Sequence, residues 1–271
     1  MTLSRSARWA LRVAMALGLA FIYVPLAVVL VNSFNADRTF AWPPAELTTR
    51  WWAAAWRNAG ARDALWTSVR AGLLATAIAL VLGTMVAFAV QRFRFFGRET
   101  ISLLVLLPIA LPGIVTGIAL DSAFRSVFAP IGIGKGLFSV VVGHATFCVV
   151  VVYNNVLARL RRVGGNLEEA SADLGAGSLQ TFRYVTFPLI RSALFAGGLL
   201  AFALSFDEII VTTFTAGAGV QTLPIWIFNN LFRPNQAPVI NVVAAVLIVL
   251  SVVPIYLAQR ISRDTASGGR L

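Results

Sequence analysis

Residues 159–191 read RLRRVGGNLEEASADLGAGSLQTFRYVTFPLIR and form a long polar stretch between two apolar runs of the chain. Asn166, followed three residues later by Glu169, is a variant of the capping box and predicts the start of a short helix. Gly175 predicts the end of that helix, and Ser178 can cap a second short helix that leads into the next apolar run. A charged helix-turn-helix at this place has no role in a bilayer. The stretch therefore predicts a contact with a partner protein outside the membrane.

The chain on both sides of this loop is dominated by uninterrupted apolar runs. Hydrophobic residues make up 58% of the chain and charged residues 12%, and the mean hydropathy is +0.82. Soluble domains have about 45–50% apolar and about 25% charged residues, which argues against a water-soluble globule. A bilayer core about 30 Å thick needs about 20 apolar residues of helix. The sequence therefore predicts an all-α polytopic membrane protein, a single domain over residues 1–271, with six transmembrane helices at 13–31, 71–90, 101–120, 137–157, 190–213 and 239–258. Pro25, Pro108, Pro112 and Pro254 predict kinks within these helices.

Basic residues set the predicted orientation. The formal charge of +11 comes from 22 basic and 11 acidic residues. The arginines flank the apolar runs instead of forming one basic stripe, which argues against a nucleic-acid partner. About twice as many basic residues lie in the predicted cytoplasmic segments as in the outer ones, so both termini are expected in the cytoplasm. Trp42, Trp51, Trp52 and Trp56 predict that part of the first outer segment lies along the membrane interface.

The polar loop also matches a known sequence pattern, and it does so at seven positions: Glu169, Ala170, Ser171, Gly175, Val185, Phe187 and Pro188. They resemble the EAA loop of permease subunits in bacterial ABC importers, in which E-A-A is followed by three residues, G, nine residues, I, one residue and L-P. The spacing is the same throughout. The departures exchange a small residue for a small one (Ser171 for Ala) or an apolar residue for an apolar one (Val185 for Ile, Phe187 for Leu).

This resemblance implies the type I ABC importer permease fold, in the inner membrane of a bacterium. Residues 159–191 would form coupling helices that dock on a dimer of ATP-hydrolysing subunits and transmit its closure to the membrane helices. A second homologous permease and an extracytoplasmic solute-binding protein would complete the transporter. The residues expected in the docking loop are Glu168, Glu169, Ala170, Ser171, Asp173, Gly175 and Pro188. Its small residues would allow close helix approach, and its carboxylates would meet basic groups on the motor. The alternative is an ordinary solvated amphipathic loop.

A second resemblance concerns the cargo. Residues 204–212 read LSFDEIIVT and residues 222–224 read TLP. Both are similar to the fifth span and the following loop of the spermidine/putrescine-type permeases, and the similarity is most convincing over residues 64–260. The resemblance implies a small cationic solute, with polyamines as the expected cargo. Relatives with other substrates share these motifs, so an aminophosphonate, an opine or a metal chelate is the alternative.

Carboxylates within the predicted spans are candidate ligands for such a cargo. A carboxylate at mid-bilayer costs at least ~2.5 kcal/mol, so Asp207 and Glu208 require a reason. Asp121, at the outer end of the third predicted span, should lie at similar depth, and three carboxylates would attract a cation. Trp226 could add a cation–π contact. In the alternative, Arg70 in the second span pairs with one of the acids as a structural ion pair.

The sequence shows no pattern of residues that would catalyse a reaction or hold a cofactor. Residues 132–136 (GIGKG) lack the first Gly and the hydroxyl of the phosphate-binding loop G-x-x-x-x-G-K-[ST]. His144 and Cys148 are four residues apart, but two ligands in one span do not make a closed metal site, and helix packing is the expected role. We therefore expect a non-enzymatic permease without metal or cofactor. The rival from another class, a secondary transporter, predicts inverted repeats, and none is apparent.

Overall fold

The computed structural model of the chain describes residues 4–38, 42–233 and 235–251. Helices dominate these residues, and the β-type pairing within them is one isolated antiparallel bridge between Asn35 and Leu47. The helices are α1 (Arg5–Asn32), α2 (Arg50–Arg57), α3 (Ala59–Arg92), α4 (Arg98–Ala110), α5 (Gly113–Ala123), α6 (Leu137–Val163), α7 (Asn166–Asp173), α8 (Ser178–Thr181), α9 (Phe187–Phe206), α10 (Ile210–Thr215), α11 (Leu223–Asn230) and α12 (Ala237–Ser251). The all-α prediction is confirmed.

Five helical stretches in the described ranges are long and apolar enough to cross a membrane: Arg5–Asn32, Ala59–Arg92, Gly113–Ile131, Leu137–Val163 and Ser178–Phe206. The sixth predicted span begins within α12, which is apolar but shorter. The remainder of that predicted span, with Pro254, lies outside the described residues. Pro25 lies inside α1 without interrupting it.

The third predicted span, 101–120, is not one helix, which corrects the sequence-based prediction. Helix α4 ends at Ala110, Leu111 has an extended backbone (ψ 143°), and α5 begins after Pro112. The cause is local, because proline disfavours the helical region for the residue before it and has no N–H to continue the hydrogen-bond ladder. Helix α5 then continues through a π turn and a 3₁₀ turn to Ile131, so the membrane-length stretch lies later in the chain than predicted.

Helix α6 provides the buried centre of the fold. Cys148, Val152 and Tyr153 are almost completely buried on it, and they pack against residues of α3 and α9. Glycine makes these close approaches possible: a Cβ at Gly83 of α3 would lie 2.8 Å from the Val149 carbonyl oxygen of α6. A Cβ at Gly197 of α9 would lie 3.3 Å from the backbone of α6. Backbone contact at these positions fixes α3, α6 and α9 as one packed group.

The described residues divide into two compact units. One contains the residues from Asp63 to Trp226, and the other contains those up to Arg62 and from Ile227 onward. In the latter, α2 carries three of the four tryptophans of the first outer segment, and the exposed Trp56 points away from the unit. Asn58 of the same unit donates a hydrogen bond to Gln236. Placement of the tryptophans in the membrane interface stays a prediction, as does the single domain over the whole chain.

Candidate functional site

The first helix of the polar loop ends as its sequence predicts. Helix α7 is followed by Gly175 with φ +83°, in the left-handed region that favours glycine. The Gly175 N–H donates to the Ala172 carbonyl and the Ala176 N–H to the Ser171 carbonyl, which is the Schellman arrangement. The start differs from the prediction. Asn166 makes no side-chain cap, and the N-cap residue is Gly165, whose carbonyl accepts from the N–H groups at the start of α7.

The second helix of the loop is not short. A helix runs for 29 residues from Ser178 to Phe206, so that the second arm of the loop and the fifth membrane span form one continuous helix. Its N-cap is Gly177, whose N–H donates to the Gln180 side chain, and Ser178 is the first helical residue. A π turn just before Pro188 carries the helix past this residue, because the wider hydrogen-bond spacing needs no N–H from the proline.

Glu168 is bonded within the chain, a contact that its predicted docking role did not include. Its carboxylate forms an ion pair with Arg92 of α3, with an N–O distance of 3.0 Å, and accepts from the Thr186 hydroxyl at 2.9 Å. Arg92 also donates to the Gly164 carbonyl at 2.8 Å. No sequence pattern predicts this pair, because its members are 76 residues apart. Glu168 therefore anchors the loop to the end of α3.

The outward surface of the loop is apolar at its tip and acidic beside it. Leu174 and Leu179 are 89% and 78% exposed, and Glu169 and Asp173 are exposed next to them. The Ser171 and Thr181 hydroxyls are 3.0 Å apart and hold the two arms of the loop together. A cavity of about 330 Å³ lies behind it, between α3, α7 and the π turn. Large exposed leucines at the tip of a loop are typical of a surface that another protein covers.

The fifth predicted span, 190–213, is broken, and the break contains both of its acids. Helix α9 ends at Phe206, with Asp207 as its C-cap, and α10 begins at Ile210. The Glu208 carboxylate accepts from the Val211 N–H at 2.8 Å, and the Glu208 carbonyl accepts from the Thr212 hydroxyl at 2.9 Å. These side-chain bonds replace backbone bonds of a continuous helix and stabilise the interruption.

Asp207 is exposed, and its carboxylate makes no hydrogen bond or ion pair with any described residue. The alternative of a structural pair with Arg70 is wrong in this structure, since the three ion pairs among the described residues involve neither Arg70 nor the two acids of the break. The Arg70 guanidinium lies over the Trp66 ring instead, 5.0 Å from its centroid. Asp207 is thus an unneutralised carboxylate at a helix break.

Two other candidate cargo residues are already engaged, which corrects their prediction. Asp121 is bound by Lys135 at 2.6 Å and by Arg125 at 2.8 Å, so its charge is neutralised within the chain. Lys135 also donates to the Phe214 carbonyl and so joins α5 to the end of α10. Trp226 is only 4% exposed, which leaves no free ring face for a cation.

His144, whose expected role from the sequence is helix packing and not metal binding with Cys148, lies against the break. Its Nδ1 lies 2.7 Å from the Ser205 hydroxyl and its Nε2 2.7 Å from the Thr212 hydroxyl. Cys148 donates separately to the Ala201 carbonyl. The described residues contain no group of three metal-ligating side chains. The sequence shows isolated polar residues in apolar spans, but it does not show which of them form hydrogen bonds with one another.

The chain matches the family of binding-protein-dependent transport system inner membrane components over residues 79–267. It belongs to that family. It is 32% identical over 249 residues to the spermidine/putrescine transport system permease protein PotC of Escherichia coli (strain K12), covering 92% of each chain. It is 32% identical over 240 residues to the putrescine transport system permease protein PotI of the same strain, covering 87% of this chain and 84% of the relative.

A solved structure shares the fold. A chain of a bacterial ABC transporter involved in the import of the acidic polysaccharide alginate superposes with a TM-score of 0.62 at 18% identity, covering 97% of this chain and 99% of that one. The predicted type I importer permease fold is confirmed, and the chain is a multi-pass protein of the bacterial inner membrane. It is the permease subunit of an ABC importer and works with an ATPase, a binding protein and a second permease.

Proposed function

We propose that this permease imports a small cationic solute of the polyamine class, while separate subunits bind and hydrolyse ATP. The observation that carries the proposal is Asp207, an exposed carboxylate without a charged partner at the break of a membrane-crossing helix. Insertion of such a carboxylate costs at least ~2.5 kcal/mol at mid-bilayer, and carboxylates kept in spans despite this cost are typical of substrate and ion pathways. An ammonium group of the cargo would offset the cost.

The backbone around Asp207 favours the same charge. The C-terminal end of α9 carries the partial negative charge of its helix dipole and its last carbonyl groups. In other transporters, interrupted helices place unwound carbonyls and C-terminal helix ends toward cations. A carboxylate directly after such an end adds a full negative charge to the partial one. The break therefore suits a primary or secondary ammonium better than an anion.

The named relatives support the polyamine class. Both E. coli permeases carry putrescine in their names, and one carries spermidine as well. The fold alone would not support this choice, because the structural relative belongs to a transporter of an acidic polysaccharide. The proposal therefore rests on Asp207 together with the two relatives.

The structure also suggests how the motor acts on this site. The helix from Ser178 to Phe206 begins in the polar loop and ends at Asp207. At 1.5 Å per residue its 29 residues span roughly 43 Å, so one rigid element joins the cytoplasmic loop to the break. Docking of the ATPase on Leu174, Leu179 and Glu169 would move the loop. The helix would transmit this movement to the Asp207 carboxylate without a further hinge.

The test is ATP-dependent uptake of labelled putrescine and spermidine into vesicles that contain the assembled transporter with wild-type chain or variants. Asp207→Asn should reduce uptake at least about tenfold while ATP hydrolysis persists, since it removes the charge that an ammonium pairs with. Glu169→Lys should abolish uptake by uncoupling the motor, with membrane insertion intact. Asp63→Asn, an exposed carboxylate outside the break, is the matched control and should resemble wild type.

Each of three outcomes would contradict a different part of the proposal. Uptake without ATP would refute the role of separate motor subunits. ATP hydrolysis without polyamine uptake, but with uptake of an aminophosphonate, an opine or a metal chelate, would refute the cargo class. Wild-type uptake by Asp207→Asn would remove this carboxylate from the path.

A further inference from the structure

His144 is the single side chain in the described residues that bonds to both halves of the broken fifth span. It lies about two turns into α6 and is completely buried. One ring nitrogen meets Ser205, in the last turn of α9, and the other meets Thr212, in α10, both at 2.7 Å. Ser205 and Thr212 are themselves buried. The three side chains form a bridge across the interruption that contains Asp207 and Glu208.

The donors and acceptors of this bridge can be assigned from the protons available. The Thr212 hydroxyl has one proton and donates it to the Glu208 carbonyl at 2.9 Å. Toward His144 it must therefore accept, so Nε2 carries the ring proton. Nδ1 then accepts from the Ser205 hydroxyl. The chain of bonds runs from Ser205 through a neutral imidazole to Thr212 and ends on the backbone of Glu208.

This arrangement satisfies every polar atom of the imidazole within the protein. A buried polar network in which each member has its partners holds one geometry, because each broken bond would leave an unsatisfied group in a low-dielectric interior. The neighbouring bond from Cys148 reaches only α9, and the bond from Ser139 to the Thr215 carbonyl reaches only α10. His144 is therefore the residue that relates one half of the span to the other.

We propose that His144 is a positioning residue: with Ser205 and Thr212 it fixes the angle of the break and so the place at which Asp207 is presented to a cationic cargo. The cargo in this proposal rests on the proposed function. The clamp, by which we mean the bridge formed by Ser205, His144 and Thr212, rests on hydrogen-bond geometry. Its consequence is that loss of the clamp should weaken capture of the cargo more than its translocation. The apparent KM should rise while kcat stays near that of wild type.

The kinetic test uses the assembled transporter in vesicles with Thr212→Val, Thr212→Ser and Cys148→Ala. Thr212→Val keeps the shape but removes the hydroxyl, with its bonds to His144 and to the Glu208 carbonyl. Loss of these buried hydrogen bonds corresponds to a rise in KM for putrescine of at least about tenfold. Thr212→Ser keeps the hydroxyl and should restore the wild-type KM. Cys148→Ala, one turn further along α6, is the control and should leave both constants unchanged. His144→Ala and the double variant His144→Ala with Ser205→Ala should show the same KM, because the Ser205 hydroxyl acts only through its bond to His144, so that both variants remove one bridge.

A second readout is independent of the cargo. Cys148 is the one cysteine of the chain, so Asp207→Cys in a Cys148→Ala background places a single thiol at the break. Adding Thr212→Val should change its rate of reaction with a water-soluble maleimide at least about threefold, and Thr212→Ser should not.

These readouts separate the clamp from the cargo. A changed labelling rate without any polyamine uptake by the wild type would support the clamp and refute only the cargo class. Wild-type KM and wild-type labelling in Thr212→Val would overturn the clamp. If Thr212→Val and Thr212→Ser both raised KM, lowered kcat and lowered membrane insertion to the same extent, this would also overturn the clamp. Such a result would show a role in folding alone.

Discussion

The Glu168 carboxylate shows how one residue of a partner-facing loop can serve the fold instead of the partner. It accepts hydrogen bonds from Arg92 and Thr186, and the ion pair is about one fifth exposed on each side. The next residue, Glu169, is exposed, and its carboxylate has no hydrogen-bond partner among the described residues. The two adjacent carboxylates therefore have different roles, one internal and one external, which the EAA pattern alone does not distinguish.

Glu168→Gln should destabilise the subunit, because it removes the charge from a partly buried ion pair and leaves the Arg92 guanidinium without its counterion. The expected loss is about 1–3 kcal/mol, the cost of a charged hydrogen bond that is not replaced. The measurement is thermal unfolding of the detergent-solubilised subunit. Glu169→Gln is the matched control, with an expected change within about 0.5 kcal/mol, as for exposed surface substitutions. Equal effects of the two substitutions would show that the ion pair does not anchor the loop.

At the scale of elements, two of the predicted membrane helices are interrupted, and α1, α3 and α6 are longer than predicted. Hydropathy runs continue through Leu111 and through Asp207, so the apolar pattern could not reveal either break. Pro112 gave a local signal for the first, which was interpreted as a kink. The second is stabilised by local bonds of Glu208 with Val211 and Thr212 and by bonds from His144, and the latter become visible only when α6 lies beside α9 and α10.

The close contact of α3 with α6 at Gly83 predicts that a larger residue at this position destabilises the subunit. A Cβ there would lie 2.8 Å from the Val149 carbonyl oxygen and 3.0 Å from the Tyr153 backbone nitrogen. Backbone atoms cannot rotate away, so Gly83→Ala must separate the two helices. Overpacking of this kind costs about 1–3 kcal/mol, which thermal unfolding in detergent would detect. Gly18→Ala in α1, where a Cβ would meet nothing within 4 Å, is the control and should not destabilise. Identical unfolding of both variants would contradict the close packing.

For the whole molecule, composition and the polar loop were sufficient to predict the class, the helical fold and the position of Gly175, because these depend on local sequence and on average hydropathy. The candidate cargo residues were predicted less well. Asp121 was counted as a free carboxylate although Lys135 neutralises it, and Trp226 was counted as available although it is buried. Both errors concern tertiary packing, which the apolar pattern does not show. Asp207 remains a candidate. Its carboxylate is exposed, and a carboxylate within the bilayer has a free-energy cost that a cationic cargo would offset.

The orientation of the molecule can be tested by thiol labelling from either side of the membrane. In a Cys148→Ala background, single cysteines would replace Trp56, Phe96, Ile133 and Leu174, all of which have exposed side chains. Each successive pair is separated by one predicted crossing: by α3, by α4 with α5, and by α6.

Because one crossing reverses the side of the membrane, labelling should alternate along this series. Cysteines at Phe96 and Leu174 should react only from the cytoplasmic side, and those at Trp56 and Ile133 only from the outer side. The second interval is the decisive one, since α4 and α5 are separated by Pro112 and must together cross once. Labelling of the Phe96 and Ile133 positions from the same side would mean that the interrupted third span returns to its starting face. The even number of crossings between the termini, and with it their common cytoplasmic location, would then fail.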